Sequence, residues 1–114
     1  QVLNCSWCDL PNVGVFDIII SNPPYIDPAE KDSLSPEVRE HDPHSALFAD
    51  EAGLSAYRQL ADILPPLLEE GGRIFLEIGC DQANDVRRIF SKTAVFDDLY
   101  QDMSGLDRCI VLKK

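Results

Sequence analysis

Basic residues are scarce in this chain: 10 Lys and Arg stand against 20 Asp and Glu, a net charge of −10 over 114 residues. A nucleic-acid surface releases counterions through a basic patch, so this balance argues against such a partner. Long apolar runs are missing too. None approaches the length that spans a bilayer, and no basic-then-apolar leader opens these residues, so the expected location is the cytoplasm. Four cysteines are too few for a disulfide scaffold at this length. Cys5-x-x-Cys8 and His41-x-x-His44 would make a zinc site only if two separate loops met, and no second close cysteine pair supports it. Reduced thiols and no metal are expected. Glycine is also short where it would matter, because only Gly14 precedes Phe16 and no Gly-x-Gly turn can cradle a nucleotide-like ligand there. Gln1 stands where a starting Met would, and Val2-Leu3 reads as the tail of a strand, so the chain is expected to be part of something longer.

What is present is organised around one stretch, Phe16-Asp-Ile-Ile-Ile-Ser-Asn-Pro-Pro-Tyr25. Ile18 to Ile20 are β-branched without polar alternation, which suits a strand covered on both faces, as in a parallel sheet. The strand must stop at Asn22. Pro23 disfavours the α region for the residue before it, and each proline fixes its φ and removes an N–H, so the turn is stiff and its carbonyls lack local donors. Ligands of open α/β sheets sit beyond the carboxyl ends of the strands. There the Asn22 side-chain oxygen and the Pro23 carbonyl are two acceptors able to hold both hydrogens of a planar NH2 group, and Tyr25 can stack on that group. An ordinary Pro-rich turn accounts for the same residues.

The rest of the chain reads as alternating elements. Gln1 to Trp7 holds the end of a strand, Cys8 to Val15 is a surface turn, and Ile26 to Glu51 is a long acidic loop with a short helix capped by Ser35 and begun by Pro36. His41 and His44 invite a general-base role, but exposed loop histidines explain them as well. Leu54 to Leu68 has apolar residues three and four apart, with Tyr57 inward and Arg58 outward; Pro65-Pro66 kinks or splits this helix, and Gly71-Gly72 ends it. Arg73 to Ile78 is a second strand, Asp81 to Ser91 an amphipathic helix, and Ala94 to Tyr100 and Arg108 to Lys113 are strands joined through Asp102 to Asp107. Glu77 reads either as a support near the site or as a strand carboxylate satisfied by amides.

Asn22-Pro23-Pro24-Tyr25 after a hydrophobic strand resembles the substrate-amine motif of class I S-adenosylmethionine-dependent methyltransferases that modify planar nitrogens. Several branches share that tetrapeptide. More selective are Glu37-Val38-Arg39, Pro43-His44-Ser45-Ala46-Leu47, Ala52-Gly53-Leu54, Tyr57-Arg58, Gly71-Gly72 and Leu76-Glu77-Ile78-Gly79-Cys80-Asp81-Gln82. In that order and spacing, from about Trp7 to the C-terminus, they are similar to the HemK/PrmC family of protein-(glutamine-N5) methyltransferases. The resemblance implies an α/β fold: the second half of a Rossmann-like class I methyltransferase sheet, parallel strands closed by a C-terminal antiparallel hairpin.

It further implies S-adenosylmethionine as cofactor and a peptide chain release factor as partner. Asn22 and Pro23 would be catalytic, Asn22 to Tyr25 would bind substrate, and Ser6, Trp7 and Asn22 would touch the cofactor. Ser6 stands where the family usually has an Asp, which weakens that contact. Glu77, Gly79 and Gln82 would support the site. Residues 1–114 would then be the substrate-facing half of a catalytic domain without its cofactor-facing half, inactive alone and able to self-associate through the unpaired edge of the first strand. A methyltransferase acting on the exocyclic amine of a nucleobase, or an incomplete fragment serving as a binding module, are the alternatives.

Overall fold

The computed structural model describes residues 2–114, apart from the side chains at positions 33, 38, 39 and 41. A four-stranded mixed sheet in the order β1-β2-β4-β3 organises the chain. β1 (Phe16–Ser21) runs parallel to β2 (Leu68–Glu77), whereas β4 (Asp107–Lys113) is antiparallel to both β2 and β3 (Val95–Gln101). This is the parallel pair with an antiparallel hairpin that the sequence predicts. Between β1 and β2 lie α1 (Pro36–His41), single turns α2 (His44–Leu47) and α3 (Asp50–Gly53), and the longer α4 (Ser55–Ile63); α5 (Ala83–Phe90) links β2 to β3.

The two longer helices cover one face of the sheet. Tyr57, Leu60, Ala61 and Leu64 from the α4 region and Val86 and Phe90 from α5 meet Leu68, Ile74, Leu76 and Ile78 of the β2 segment and Ile110 and Leu112 of β4. The strand period of two puts Arg73, Phe75 and Glu77 on the opposite face, which no helix covers among the described residues. There Asp97 accepts from Arg73 Nε at 2.7 Å and Lys113 Nζ at 2.9 Å. Among the described residues, no helix is long and apolar enough to cross a membrane.

Three expectations are corrected. The triple isoleucine is not covered on both faces: Ile19 packs against the core, while Ile18 and Ile20, paired with Arg73 and Phe75, are 60% and 79% exposed. An edge strand with helices on one side only can bury alternate residues on that side alone. Gly71-Gly72 does not end the preceding helix. Pro65, lacking an N–H, has already turned the chain into a single 3-10 turn (Pro65–Leu67), and the glycines lie within β2. Gly71 takes a φ of 79° where β2 bulges: Phe16 pairs with Leu68, but Ile18 pairs with Arg73. Finally, residues 2–6 form no strand; the chain there leads into a 3-10 turn, Trp7–Asp9. An apolar pair with no neighbouring strand has no ladder to join.

Candidate active site

β1 delivers Asn22 to the carboxyl edge of the sheet. Ser21 pairs with Leu76, so the residue after it emerges level with Glu77 at the end of β2. Pro23 is fully buried and Asn22 is exposed, so the turn is rooted at one residue and displays the other. Two hollows meet at Asn22. One, of about 80 Å³, is lined also by Pro23, Tyr25, Ile26, Ala46 and Leu47. The other, of about 180 Å³, lies on the uncovered sheet face and is lined also by Phe75, Glu77 and Arg108. Among the described residues none donates to the Pro23 carbonyl or bonds the Asn22 side chain. The two prolines contribute no N–H of their own to this turn, which leaves fewer local donors for its carbonyls.

Tyr25 anchors the far end of the turn. Its hydroxyl donates to Glu77 Oε1 at 2.9 Å, and its carbonyl accepts from Gln82 Nε2 at 3.0 Å. Ile26 then bridges to the α2 segment: its N–H donates to Leu47 O, and Ala49 N–H donates to Ile26 O, each at 3.0 Å. The carbonyl of Tyr25 is also pressed against Gly53, where a Cβ would come within 2.0 Å of that oxygen. Gly53 has φ 78°, and the residues before it, Glu51 and Ala52, are left-handed as well, at 57° and 56°. Left-handed conformations at residues with a Cβ are strained, and such strain persists only where surrounding structure over-determines it.

Electrostatics keep Tyr25 a donor. Burial raises its pKa first, and the hydrogen bond and charge of Glu77 raise it further. Burial likewise pushes Tyr57 far up; its hydroxyl donates to Glu77 O at 2.9 Å. Arg108 lines the hollow with Glu77 and is held by Asp102 Oδ2 at 3.3 Å and Ile78 O at 3.1 Å. Burial works against its charge, but Asp102 and Tyr25 outweigh that and its pKa is raised. A third hollow of about 340 Å³ is lined by Tyr25 and Arg108 together with Asp27, Glu30, Asp81 and Asp85.

The predicted residues do not all converge. Asn22, Pro23 and Tyr25 share the smaller hollow, with Pro24 half-buried in the same turn. Ser6 and Trp7 line neither hollow at Asn22: Ser6 is exposed, and Trp7 packs against the helix-covered core. Cys5 and Cys8 are exposed thiols, and no three metal-ligating side chains come together among the described residues. His44 packs edge-on against Phe48, with ring centroids 5.4 Å apart; the His41 side chain lies outside the described residues. Glu77 is satisfied by a tyrosine hydroxyl rather than by amides. Arg108 was not singled out from the sequence, since a lone arginine opening a hairpin strand carries no local signal.

The chain matches no family profile. It is 43% identical to the release factor glutamine methyltransferase of Geobacter sulfurreducens, over 83% of this chain and 34% of that protein. It is 42% identical to that of Agrobacterium fabrum, over 100% of this chain and 39% of that protein. A bifunctional methyltransferase of Rickettsia typhi is 40% identical over 96% of this chain and 21% of its own length. The chain thus spans between a fifth and two fifths of the length of the curated relatives it matches, and the likeness runs along nearly all of it.

Proposed function

We propose that this chain carries the substrate-holding part of an S-adenosylmethionine-dependent methyltransferase that modifies the side-chain amide nitrogen of a glutamine in a peptide chain release factor. One observation supports the reading beside the likeness to named release factor glutamine methyltransferases: Asn22 and the Pro23 carbonyl are acceptors unclaimed among the described residues, on an anchored turn at the end of a strand. When bound, the cofactor supplies an electrophilic methyl group on a sulfonium. The described residues make no cradle for it, since Ser6 and Trp7 do not reach the hollows at Asn22 and no Gly-x-Gly turn precedes β1. Among the described residues Asn22 is the contact assigned to it.

An amide nitrogen is a poor nucleophile because its lone pair is delocalised. Asn22 Oδ1 and Pro23 O, each accepting one hydrogen of the NH2 group, would hold the nitrogen in one orientation and stabilise positive charge as it grows there; the methylated amide keeps one of those hydrogens and the other leaves to solvent as a proton. Tyr25 walls the smaller hollow against the flat group, with Pro24 next to it in the turn. Orientation of this kind supplies up to about 7–11 kcal/mol in well-aligned cases. Release factors work in the cytoplasm, and this chain is placed there with them.

Asn22→Ala in the full-length polypeptide should lower turnover on a release factor by roughly 10²–10³, as removal of one preorganised polar contact does. A loss below fivefold in a folded variant would reject Asn22 as the holding group. Methylation of DNA or RNA with the release factor untouched would replace the peptide by a nucleobase amine.

A further inference from the structure

We propose that Gln82 is a positioning residue for the reaction: its buried amide sets the carbonyl of Tyr25, and through it the orientation of the Asn22 and Pro23 acceptors. The inference rests on the functional reading above and goes beyond it, because Gln82 itself is not placed at the acceptor nitrogen.

The amide of Gln82 is buried and used at both ends. Its Oε1 accepts from Gly79 N–H at 2.9 Å, which fixes which end is oxygen; the Tyr57 hydroxyl hydrogen goes to Glu77 O, and Tyr57 Oη lies 3.4 Å from Oε1 as a weaker contact. Its Nε2 therefore faces two carbonyls, Tyr25 O at 3.0 Å and Ala52 O at 3.4 Å. One side chain thus joins the turn after β1, the left-handed turn at Glu51 to Gly53 and the turn after β2. Each contact is to a group that a different residue type could not match. A carboxylate at this position would set acceptors against two carbonyls, and an apolar chain would leave a carbonyl and an N–H without partners.

The grip bears on the acceptors because the intervening chain is stiff. Pro24 fixes its own φ between the two carbonyls and Pro23 is fully buried, so fewer joints remain to absorb a displacement of the Tyr25 carbonyl before it reaches the Pro23 carbonyl. Glu77 holds the Tyr25 hydroxyl, so the ring and the main chain are fixed independently, and Gln82 supplies the main-chain part.

The test is Gln82→Met in the full-length polypeptide, with Tyr57→Phe as a control that perturbs the same core but leaves the Nε2 grip in place. Methyl transfer to a release factor is assayed together with NMR of protein labelled with carbonyl-¹³C Tyr and ¹⁵N Ile. Within these residues Tyr25-Ile26 is the single Tyr-Ile pair, so its peak reports the Tyr25 carbonyl, and absence of that peak in Tyr25→Phe assigns it. Positioning predicts a kcat fall of roughly 10–100-fold with KM within threefold and an upfield shift of the Tyr25 carbonyl in Gln82→Met. Tyr57→Phe should leave kcat within threefold. A kcat kept within threefold in folded Gln82→Met, an unmoved carbonyl, or equal kcat losses in both variants would overturn the proposal. Should Gln82→Met fail to fold, the unaltered protein decides: a scalar coupling across the hydrogen bond from Gln82 Nε2 to the Tyr25 carbonyl supports the grip, and its absence refutes it. Absence of methyl transfer by the unaltered enzyme would instead remove the functional reading, with the carbonyl shift still reporting the grip.

Discussion

Gly53→Ala isolates the packing of the site from ordinary backbone strain. Gly53 and Gly105 share a φ of 78°, but a Cβ at Gly105 meets nothing within 4 Å, whereas one at Gly53 lies 2.0 Å from Tyr25 O and 2.7 Å from Gln82 Nε2. Forcing alanine into the left-handed region costs about 1–2 kcal/mol, and Gly105→Ala should show that much alone. At Gly53 the Tyr25 carbonyl must also retreat by more than 1 Å, since ordinary contacts begin above about 3 Å. That breaks its bond to Gln82 and leaves a buried donor short of a partner, a further ~1–3 kcal/mol. The expected totals are therefore about 2–5 kcal/mol for Gly53→Ala and about 1–2 kcal/mol for Gly105→Ala. Urea unfolding of both variants, compared by midpoint at unchanged m-value, measures the difference. If the two lose stability equally, to within about 0.5 kcal/mol, the close approach of Gly53 to Tyr25 does not hold the turn.

High pH tests the buried tyrosines. Tyr25 and Tyr57 both have raised folded-state pKa values, so their contribution is fully present below the unfolded value near pH 10 and is lost as pH rises through the folded values. Urea midpoints should hold steady up to about pH 10 and fall beyond it, with a shallower fall in Tyr57→Phe; an identical fall would place the effect elsewhere. The β1 edge tests association: Ile18 and Ile20 flank unpaired backbone on the edge strand, and residues 1–114 should self-associate there, while Ile18→Lys with Ile20→Lys should not. Light scattering that shows the unaltered chain monomeric across micromolar concentrations would dismiss this.

The elements that chain-local physics controls were legible in the sequence. β1 occupies Phe16–Ser21 as three successive isoleucines demand, α5 turns Val86 and Phe90 inward, and Pro65 divides α4 from the 3-10 turn that leads into β2. What a residue faces depends on segments far along the chain, and there sequence reading fell short. Ile18 and Ile20 look the same as Ile19 in the sequence; only the position of β1 at the sheet edge, with both longer helices on one side, separates them. Asn22 stands out in the sequence because its proline neighbours act locally. Arg108 does not, since it reaches Glu77 and Tyr25 only through the pairing of β2 with β4.

That split between local and distant causes explains why the tetrapeptide alone is a weak sign of activity and the surrounding network a stronger one. Prolines narrow the conformations of the turn wherever Asn-Pro-Pro-Tyr occurs, but they do not choose its direction relative to a sheet. Fixing one residue's backbone costs roughly 1–2 kcal/mol, and a single net hydrogen bond returns about 0.5–1.5 kcal/mol, so one anchor is not enough to hold a free turn. Here the Tyr25 residue has two, Glu77 at its hydroxyl and Gln82 at its carbonyl, and Ile26 adds a bridge immediately after them. The same tetrapeptide without acceptors and donors at the positions of Glu77 and Gln82 would sample several orientations, and under the proposed function its Asn would not hold a planar amine aligned for transfer.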